Sequence, residues 1–281
     1  MLPLRAARLE EMLREEAPYG DITTLGLGIG DAVGQVQLCA GRTMTLCCSE
    51  EAERLFLLAG CSAVHRVAAS GALLDQGGPI LTATGPAAAL HQATRVAQAL
   101  MATTSGIATQ AARIRAVARR EKPGIAVACP REHLPGARDV MLRAIAAGGC
   151  VPHRLGLSDS ILVGAPHRAF LGREPAYRWV ARLRAAQPER SIAVEAGTVD
   201  EAVLLAHAGV DIVQCGGLSP AQLAEVTRAL ADHPRRPVIA AAGGVTEGNA
   251  ADYARADADL LITASPYSAP PLEITARMER L

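Results

Sequence analysis

The chain has 281 residues, half of them hydrophobic, and its 28 basic and 28 acidic side chains give a net charge of zero. This composition fits one large or two modest domains with a hydrophobic core, and it provides no general attraction to nucleic acid or membrane surfaces. The chain lacks a recognisable signal peptide, an apolar run near the roughly 18 residues of a membrane span, and any Cys-x-x-Cys among its seven cysteines, so the expectation is a cytoplasmic protein with reduced thiols.

The first hundred residues mix helices and strands. A serine N-cap and acids in the first turn predict a helix over Ser49–Leu58. A long helix is predicted from about Pro86, and the sequence allows a break near Gly106. The other predicted elements are a helix over Leu4–Glu16, strands over Val33–Ala40 and Met44–Cys47, and a strand in GGPILTATGP.

After residue 103 the pattern changes to strand, loop and helix in repetition. Six apolar strands alternate with amphipathic helices, which is typical of a parallel sheet, either open or closed into an incomplete barrel. Neither a Gly-x-Gly-x-x-Gly dinucleotide motif nor a Walker loop is present. The predicted strands are Gly124–Cys129, Ser160–Val163, Ser191–Glu195, Asp211–Gln214, Val238–Ala241 and Asp259–Thr263; the predicted helices are Ala137–Ala147, Glu174–Ala186, Val199–Ala208, Pro220–Ala231 and Glu247–Ala254.

Polar residues and glycines gather next to these strands, where parallel barrels carry their sites. Arginines at strand ends are often plain surface residues, and glycine pairs often only permit tight turns. Two arginines beside histidines nevertheless favour an anion site, and a glycine pair before a helix is a common phosphate cradle. The candidates are Arg131, Glu132, His133, His153, Arg154, Glu195, the pair Gly216–Gly217 and the pair Gly243–Gly244.

One count restricts the chemistry further. Lys122 is the only lysine, so a mechanism that needs a lysine Schiff base would have to use it. Lys122 precedes a predicted strand, which is a poor position for a buried amine. Aldolase chemistry of that type is therefore not expected.

Several motifs together resemble the quinolinate phosphoribosyltransferase family (nicotinate-nucleotide diphosphorylase, carboxylating), and are most similar to the branch called ModD, which is associated with molybdenum transport loci. The two most specific are HRLGLSDSILV and SPYSAPPLEIT. The others run nearly from end to end: YGDITT, TSGIAT, LPGAR, AVEAGTVDEA and AAAGGVT.

The resemblance implies an α/β fold with an N-terminal α/β sandwich domain over residues 1–103, an open six-stranded parallel α/β barrel over 104–264, and a C-terminal tail, 265–281, that returns to the sandwich. It also implies a cytoplasmic homodimer in which one subunit closes the barrel mouth of the other. The implied reaction joins quinolinate to phosphoribosyl pyrophosphate (PRPP) and releases CO₂ and pyrophosphate, with Mg²⁺ as the cofactor.

Matching the family pattern position by position implies roles for individual residues. Glu195 and His153 are the implied catalytic residues, and Glu195 is also the implied metal ligand. The implied substrate-binding residues are Arg131, His133, Arg154, Gly216, Gly217, Gly243 and Gly244 of one chain, together with Arg95 offered across the dimer interface.

Several family positions differ here. Glu132 and Gly164 stand where lysines are expected, Gly216 and Gly217 replace an acid and an amide, and Ala240 and Ala242 replace an acid and a serine. His133, His167 or Arg168 would be available as substitutes. Three hypotheses remain open: an active phosphoribosyltransferase with a pyridine-carboxylate or related acceptor, an altered paralogue that binds an anionic or phosphorylated small molecule and is linked to molybdenum handling, and an unrelated barrel enzyme such as a phosphate-sugar isomerase.

Overall fold

The computed structural model describes residues 3–281, which form two compact units. The first unit contains residues up to 112, residues 133–149 and residues 266–281; the second contains residues 113–132 and 150–265. The helices are α1 (Ala6–Glu16), α2 (Ile22–Leu27), α3 (Ser49–Ala59), α4 (Ala87–Glu121), α5 (Arg138–Ala147), α6 (Ala165–Arg168), α7 (Ala176–Ala186), α8 (Val199–His207), α9 (Pro220–Ala229) and α10 (Ala250–Arg255). The strands are β1 (Val33–Ala40), β2 (Met44–Thr45), β3 (Ala63–Arg66), β4 (Leu73–Leu74), β5 (Pro79–Pro86), β6 (Ala126–Cys129), β7 (Val151–Pro152), β8 (Ile161–Val163), β9 (Ile192–Ala196), β10 (Ile212–Gly216), β11 (Val238–Ala242), β12 (Leu260–Ile262) and β13 (Ile274–Arg280).

The first unit is built on a four-stranded antiparallel sheet in the order β13-β1-β5-β3. Along β1, burial alternates with a period of two, so that Val36, Leu38 and Ala40 face the core. Helix α3 packs on β3 and β5 and contributes Phe56 to that core. Strand β13 lies at the sheet edge beside β1, which confirms that the C-terminal tail returns to the N-terminal α/β unit.

Two local predictions in this unit were wrong. Helix α4 is continuous over 35 residues and does not break at Gly106. A Cβ at Gly106 would lie 2.3 Å from the carbonyl oxygen of Pro270, so this glycine serves the close approach of the tail. Ser49 is not an N-cap, because Cys48 takes that position with a φ of 63° and no side-chain cap.

The second unit is a curled, parallel seven-stranded sheet that forms a half-barrel, in the order β7-β6-β12-β11-β10-β9-β8. The expected open parallel barrel is confirmed, with one strand more than the six predicted. The additional strand, β7, has only two residues and carries no apolar periodicity that a sequence could reveal. Helices α7 and α8 pack against β9, and α8 also packs against β10.

The interior of the half-barrel is filled by small and branched side chains. Ala128, Ala240, Ala242 and Ile262 form a buried cluster, against which Ile212 and Leu260 pack. Because residues two apart on a strand share a face, Gln214 and Gly216 lie on the same face of β10 as Ile212. The carboxyl ends of the strands therefore stand above an apolar base.

Within residues 3–281, no helix has both the length and the apolar character required to cross a membrane.

Candidate active site

A cavity of about 410 Å³ opens at the carboxyl ends of the strands in the second unit. Its lining comes from the ends of β6 to β12, which is where parallel barrels carry their sites. Charged and polar residues form half of the lining, and apolar residues and glycines form the other half. The lining residues are Pro130, Arg131, Glu132, His153, Arg154, Leu162, Glu195, Gln214, Ala242, Gly243, Gly244, Ile262, Thr263 and Ala264.

Two arginines and a histidine converge on one side of this cavity. Arg131 follows β6, and His153 and Arg154 follow β7. The backbone N–H of His153 donates to the carbonyl of Cys129 at 2.8 Å, which fixes the end of β7 beside the end of β6. Arg154 is only 8% exposed, and its Nε donates to the carbonyl of Gly156 at 3.2 Å. The sequence therefore placed these three residues together correctly.

The three groups oppose one another electrostatically. Burial, followed by the charges of Arg154 and Arg131, holds the pKa of His153 below its ordinary value. Burial also lowers the pKa of Arg154, Arg131 lowers it further, and Asp159 partly opposes the effect. Among the described residues, neither arginine forms a salt bridge. A bound anion would relieve this repulsion, so the arrangement fits an anion site.

This arrangement gives a pH-dependent prediction. His153 is neutral near pH 7, and it gains a proton only as the pH falls through its lowered pKa. Since the added positive charge faces the cavity, sulfate should bind progressively more tightly as the pH falls from 7.5, and roughly fivefold more tightly (about 1 kcal/mol) once His153 is fully protonated. Sulfate keeps its charge over this range, so calorimetry reports the protein alone. In the His153→Gln variant the pH dependence should largely disappear; if it persists, another group is responsible.

Glu195 and Gln214 face the cavity from neighbouring strands. They are register partners on β9 and β10, and Nε2 of Gln214 donates to Oε1 of Glu195 across 3.5 Å. The Glu195 carboxylate packs against Gly164: a Cβ at Gly164 would lie 2.5 Å from Oε2 of Glu195. The glycine at position 164 thus leaves the space that Glu195 occupies, and a lysine there would require the carboxylate to move.

The glycine turn after β11 forms another part of the wall. Gly243 and Gly244 have φ values of 77° and 86°, which glycine adopts without the strain of a side chain. No hydrogen bond recorded within residues 3–281 uses either of their N–H groups. These N–H groups are available to an anion.

The helix expected directly after this glycine pair is absent there. Helix α10 begins at Ala250, because Asn249 holds the intervening chain in a turn. Its Oδ1 accepts from the N–H of Thr246 at 2.7 Å, and its Nδ2 donates to the carbonyl of Gly244 at 2.9 Å. The dipole of α10 therefore does not act at the glycines, and the turn's own N–H groups remain as donors.

Other residues proposed from the sequence do not line the cavity. Arg95 is an exposed residue of α4 in the first unit. His133 also belongs to the first unit, where it meets Tyr267 edge-on with ring centroids 5.8 Å apart. Gly216 and Gly217 lie beside the glycine turn: the N–H of Gly217 donates to the carbonyl of Ala242 at 2.8 Å.

The possible substitutes have other partners. Arg168 forms an ion pair with Glu201, and Nδ1 of His167 accepts from the N–H of Gly164 at 3.2 Å.

Lys122, the only lysine, lies before β6 begins. It is held by the carboxylate of Asp257 at 2.6 Å and by the carbonyl of Ala258 at 2.9 Å. These contacts agree with the exclusion of Schiff-base chemistry.

Sequence reasoning missed two polar residues of the cavity. Thr263 donates its hydroxyl to the carbonyl of Val245 at 2.6 Å, so its role is to hold the loop after the glycine turn. From the sequence, Gln214 is only the last residue of a predicted strand. The signal that would have found it is a polar residue at an inward position of an apolar strand, two residues after Ile212.

Residues 3–281 contain no cluster of three or more His, Cys, Asp or Glu side chains that could hold a metal by themselves. A cation at Glu195 would take one or two oxygens from the protein and the remainder from a phosphorylated substrate and water. Such a mixed shell is typical of Mg²⁺.

Comparisons with known proteins identify the family. Residues 107–277 match the model of the quinolinate phosphoribosyl transferase C-terminal domain, and residues 21–105 match the N-terminal domain. A relative from Rhodobacter capsulatus, named "Putative pyrophosphorylase ModD", is 42% identical over 247 residues, which are 88% of this chain and 95% of the relative. A "Probable nicotinate-nucleotide pyrophosphorylase [carboxylating]" of Archaeoglobus fulgidus is 28% identical over 93% of this chain and 99% of its own.

The solved structure of NadC from Streptococcus pyogenes has the same fold, with a TM-score of 0.90 at 24% identity and full coverage of both chains. The chain matches the models of both domains of one family, in order, and it shares the fold of a solved structure over its whole length. This protein belongs to the quinolinate phosphoribosyltransferase family.

Proposed function

We propose that the protein is a phosphoribosyltransferase that joins the phosphoribosyl group of PRPP to the ring nitrogen of an aromatic carboxylate acceptor and releases pyrophosphate. The observation that carries this proposal is the convergence of Arg131, Arg154, Glu195 and the turn Gly243–Gly244 on one cavity. The names of the relatives, both pyrophosphorylases, support the same reaction type.

The chemistry assigns a task to each part of the wall. The lone pair of the acceptor nitrogen forms a bond to C1 of the ribose, while the bond from C1 to the pyrophosphate oxygen breaks and its electron pair leaves with pyrophosphate. Guanidinium groups bind carboxylate or phosphate oxygens in a planar, bidentate fashion. The Glu195 carboxylate would stabilise positive charge that develops on the ribose, and the turn N–H groups would hold phosphate oxygens.

Glu195 would also help to hold Mg²⁺, and the bound ion would supply positive charge to the departing pyrophosphate. His153, neutral near pH 7 because of its lowered pKa, would orient the acceptor by hydrogen bonding without adding charge.

A second candidate function rests on the charges of the wall. Glu132 and Glu195 both line the cavity, so its two arginines are matched by two carboxylates. An altered paralogue that binds an anionic or phosphorylated small molecule without turnover would tolerate this loss of positive charge; its link to molybdenum handling is the one that the sequence resemblance implies. No observation favours the third hypothesis, an unrelated barrel enzyme such as a phosphate-sugar isomerase, because the chain belongs to the quinolinate phosphoribosyltransferase family.

The proposed assembly is a homodimer in which Arg95 of each chain reaches the cavity of the other. The support is that Arg95 is exposed and does not line its own chain's cavity. Sedimentation equilibrium should give a mass of twice 29.2 kDa. A monomer mass would remove this part of the proposal.

A pyrophosphate-release assay with PRPP, Mg²⁺ and a panel of aromatic acids tests the function. Turnover with at least one acceptor is expected, and it should require both PRPP and the acceptor. Calorimetric binding of PRPP without any turnover would favour the second candidate. Absence of PRPP binding would contradict both.

A further inference from the structure

A second cavity, of about 590 Å³, lies in the second unit and has no task in the proposed reaction. The half-barrel is open between its edge strands β7 and β8, and the chain crosses from one edge to the other over residues 153–160. This crossing segment, strand β8 and the C-terminal part of α7 contribute most of the lining. We call this space the outer cavity, to distinguish it from the cavity at the strand ends.

The crossing segment is fixed by hydrogen bonds, so the outer cavity is formed before any ligand binds. The N–H of Leu155 donates to Oδ2 of Asp159 at 2.9 Å, and a guanidinium nitrogen of Arg190 donates to the carbonyl of Asp159. Arg190 stands just before β9, and it therefore ties the segment to the strand next to β8. A preformed cavity binds a ligand with little loss of conformational entropy.

Positive charge predominates in the outer cavity. Arg154 and Arg190 both line it, and among its described lining residues only Asp159 is acidic. The Asp159 carboxylate already accepts from the backbone of Leu155. His167 adds a donor, because its Nδ1 accepts from a backbone N–H and the proton of the neutral ring is then on Nε2. These groups favour an anionic ligand.

Apolar side chains form another part of the same lining. Leu162 of β8 and Leu183 of α7 both face the outer cavity, and both are only half-buried. A ligand that covers them removes further apolar surface from water, which an inorganic ion cannot do. The lining therefore fits an anionic head group that is joined to an apolar body.

Arg154 and Leu162 line both cavities. The Nε of Arg154 donates to the carbonyl of Gly156, whereas its two terminal nitrogens have no recorded hydrogen bond to a described residue and are not among the fully buried atoms. The same guanidinium is therefore available to an anion on either side. An anion in the outer cavity would share its positive charge and would repel a second anion at the strand ends.

We propose that the outer cavity is a regulatory site for a small organic anion with an apolar body, and that its ligand weakens the binding of phosphate groups at the strand ends through Arg154. The head group binds Arg190 and Arg154, and the apolar body lies against Leu162 and Leu183. The outer site itself is independent of the proposed function, but its regulatory effect rests on it, because Arg154 is the shared group.

Hexane-1-sulfonate and methanesulfonate are suitable probes, because they carry the same permanently ionised head group and differ only in the apolar body. In calorimetry on the full-length protein, hexane-1-sulfonate should bind on the order of tenfold more tightly, since only its chain covers the two leucines. Inorganic pyrophosphate with Mg²⁺ reports on the cavity at the strand ends. Saturating hexane-1-sulfonate should weaken pyrophosphate binding about fivefold and no further, and saturating pyrophosphate should weaken hexane-1-sulfonate binding by the same factor.

Arg190→Met removes a cation that lines the outer cavity and not the cavity at the strand ends. Hexane-1-sulfonate affinity should fall about fivefold, as expected for a partly exposed ion pair, while pyrophosphate affinity measured alone should stay at the wild-type value. Arg182→Met, an arginine of α7 that lines neither cavity, is the matched control and should change neither affinity. Leu183→Trp fills the outer cavity from α7, and it should weaken hexane-1-sulfonate binding even if Arg190→Met disturbs the crossing segment.

Four results would overturn the inference. Equal affinities for the two sulfonates would show that no apolar body is bound, and wild-type affinity for hexane-1-sulfonate in both Arg190→Met and Leu183→Trp would place the anion elsewhere. Pyrophosphate affinity that falls without limit as hexane-1-sulfonate is raised would show competition within one cavity, and pyrophosphate affinity that does not change at all would remove the regulatory effect. Failure of the proposed function is seen separately, as absence of pyrophosphate release with every acceptor.

Discussion

Replacement of Arg154 by methionine is expected to lower kcat/KM for pyrophosphate release by about a hundredfold or more. Arg154 is almost completely buried and, among the described residues, has no carboxylate partner within salt-bridge distance. Its charge-assisted contacts to substrate oxygens would be lost, and one such contact in a catalytic site contributes on the order of 3 kcal/mol. The rate assay and sulfate calorimetry should show parallel losses.

Arg154→Met should reduce the stability of the folded protein much less than it reduces activity. Burial and Arg131 both lower the pKa of Arg154, which means that its positive charge is unfavourable in the ligand-free protein. Removing the charge relieves that repulsion, although the bond to the carbonyl of Gly156 is lost. We therefore expect Tm to change little or to rise. A large fall in Tm would show that Arg154 has a structural role.

Arg182→Met is a suitable control, because Arg182 is an exposed arginine of α7 that pairs with Glu174 at 2.7 Å. Exposed ion pairs contribute little to stability, so this variant should keep both its activity and its Tm. If Arg154→Met behaves like Arg182→Met, the cavity does not bind an anion through that guanidinium, and the proposed function loses its main support.

The sequence was informative wherever an element was long and periodic. Strand β1 has the predicted bounds, Val33–Ala40, because Gln35 and Gln37 alternate with Val36 and Leu38 along it, in step with burial. Helices α3 and α5 begin or end within one residue of their predicted bounds. The strands of the half-barrel were found because strands covered on both faces are almost continuously apolar.

Short elements were missed for a corresponding reason. Strands β4 and β7 have two residues each, and β3 has four, two apolar followed by two polar, so none shows an alternation that the sequence reveals. Helix α2 begins in APYGDITT, a segment whose composition favours turns, and Asp21 caps the helix by accepting from the N–H of Thr23. Tertiary contacts, not local preference, determine these elements.

The sequence predicts which charged residues belong to the site, but it does not predict the contacts between them. Arg131, His153, Arg154 and Glu195 were found from their positions beside strands, and all four line the cavity. The contact between Glu195 and Gly164 could not be foreseen, because 31 residues separate them and only the sheet register brings them together. The contact between Gln214 and Glu195 was missed for the same reason, since only the register of β9 and β10 sets the two side chains together.

Gly243→Ala is expected to destabilise the protein by about 2 kcal/mol or more and to weaken binding of inorganic pyrophosphate at least tenfold. An L-residue in the left-handed region costs roughly 1–2 kcal/mol, and Gly243 has a φ of 77°. In addition, the new Cβ would lie 3.0 Å from the backbone nitrogen of Gly217, which no change of rotamer can relieve. Denaturant unfolding and calorimetry measure the two effects.

The strain and the close contact can be separated with a second glycine. Gly172 has a φ of 59°, does not line the cavity, and has open space where a Cβ would be placed. Gly172→Ala should therefore show the backbone cost alone, about 1 kcal/mol, with normal pyrophosphate binding. Gly243→Ala should lose more free energy of unfolding than Gly172→Ala, because its Cβ pushes Gly217 away from its bond to the carbonyl of Ala242. It should also bind pyrophosphate more weakly, because the same displacement distorts the turn whose N–H groups would hold phosphate. If the two variants lose the same free energy of unfolding and bind pyrophosphate equally well, this turn is not part of the phosphate site.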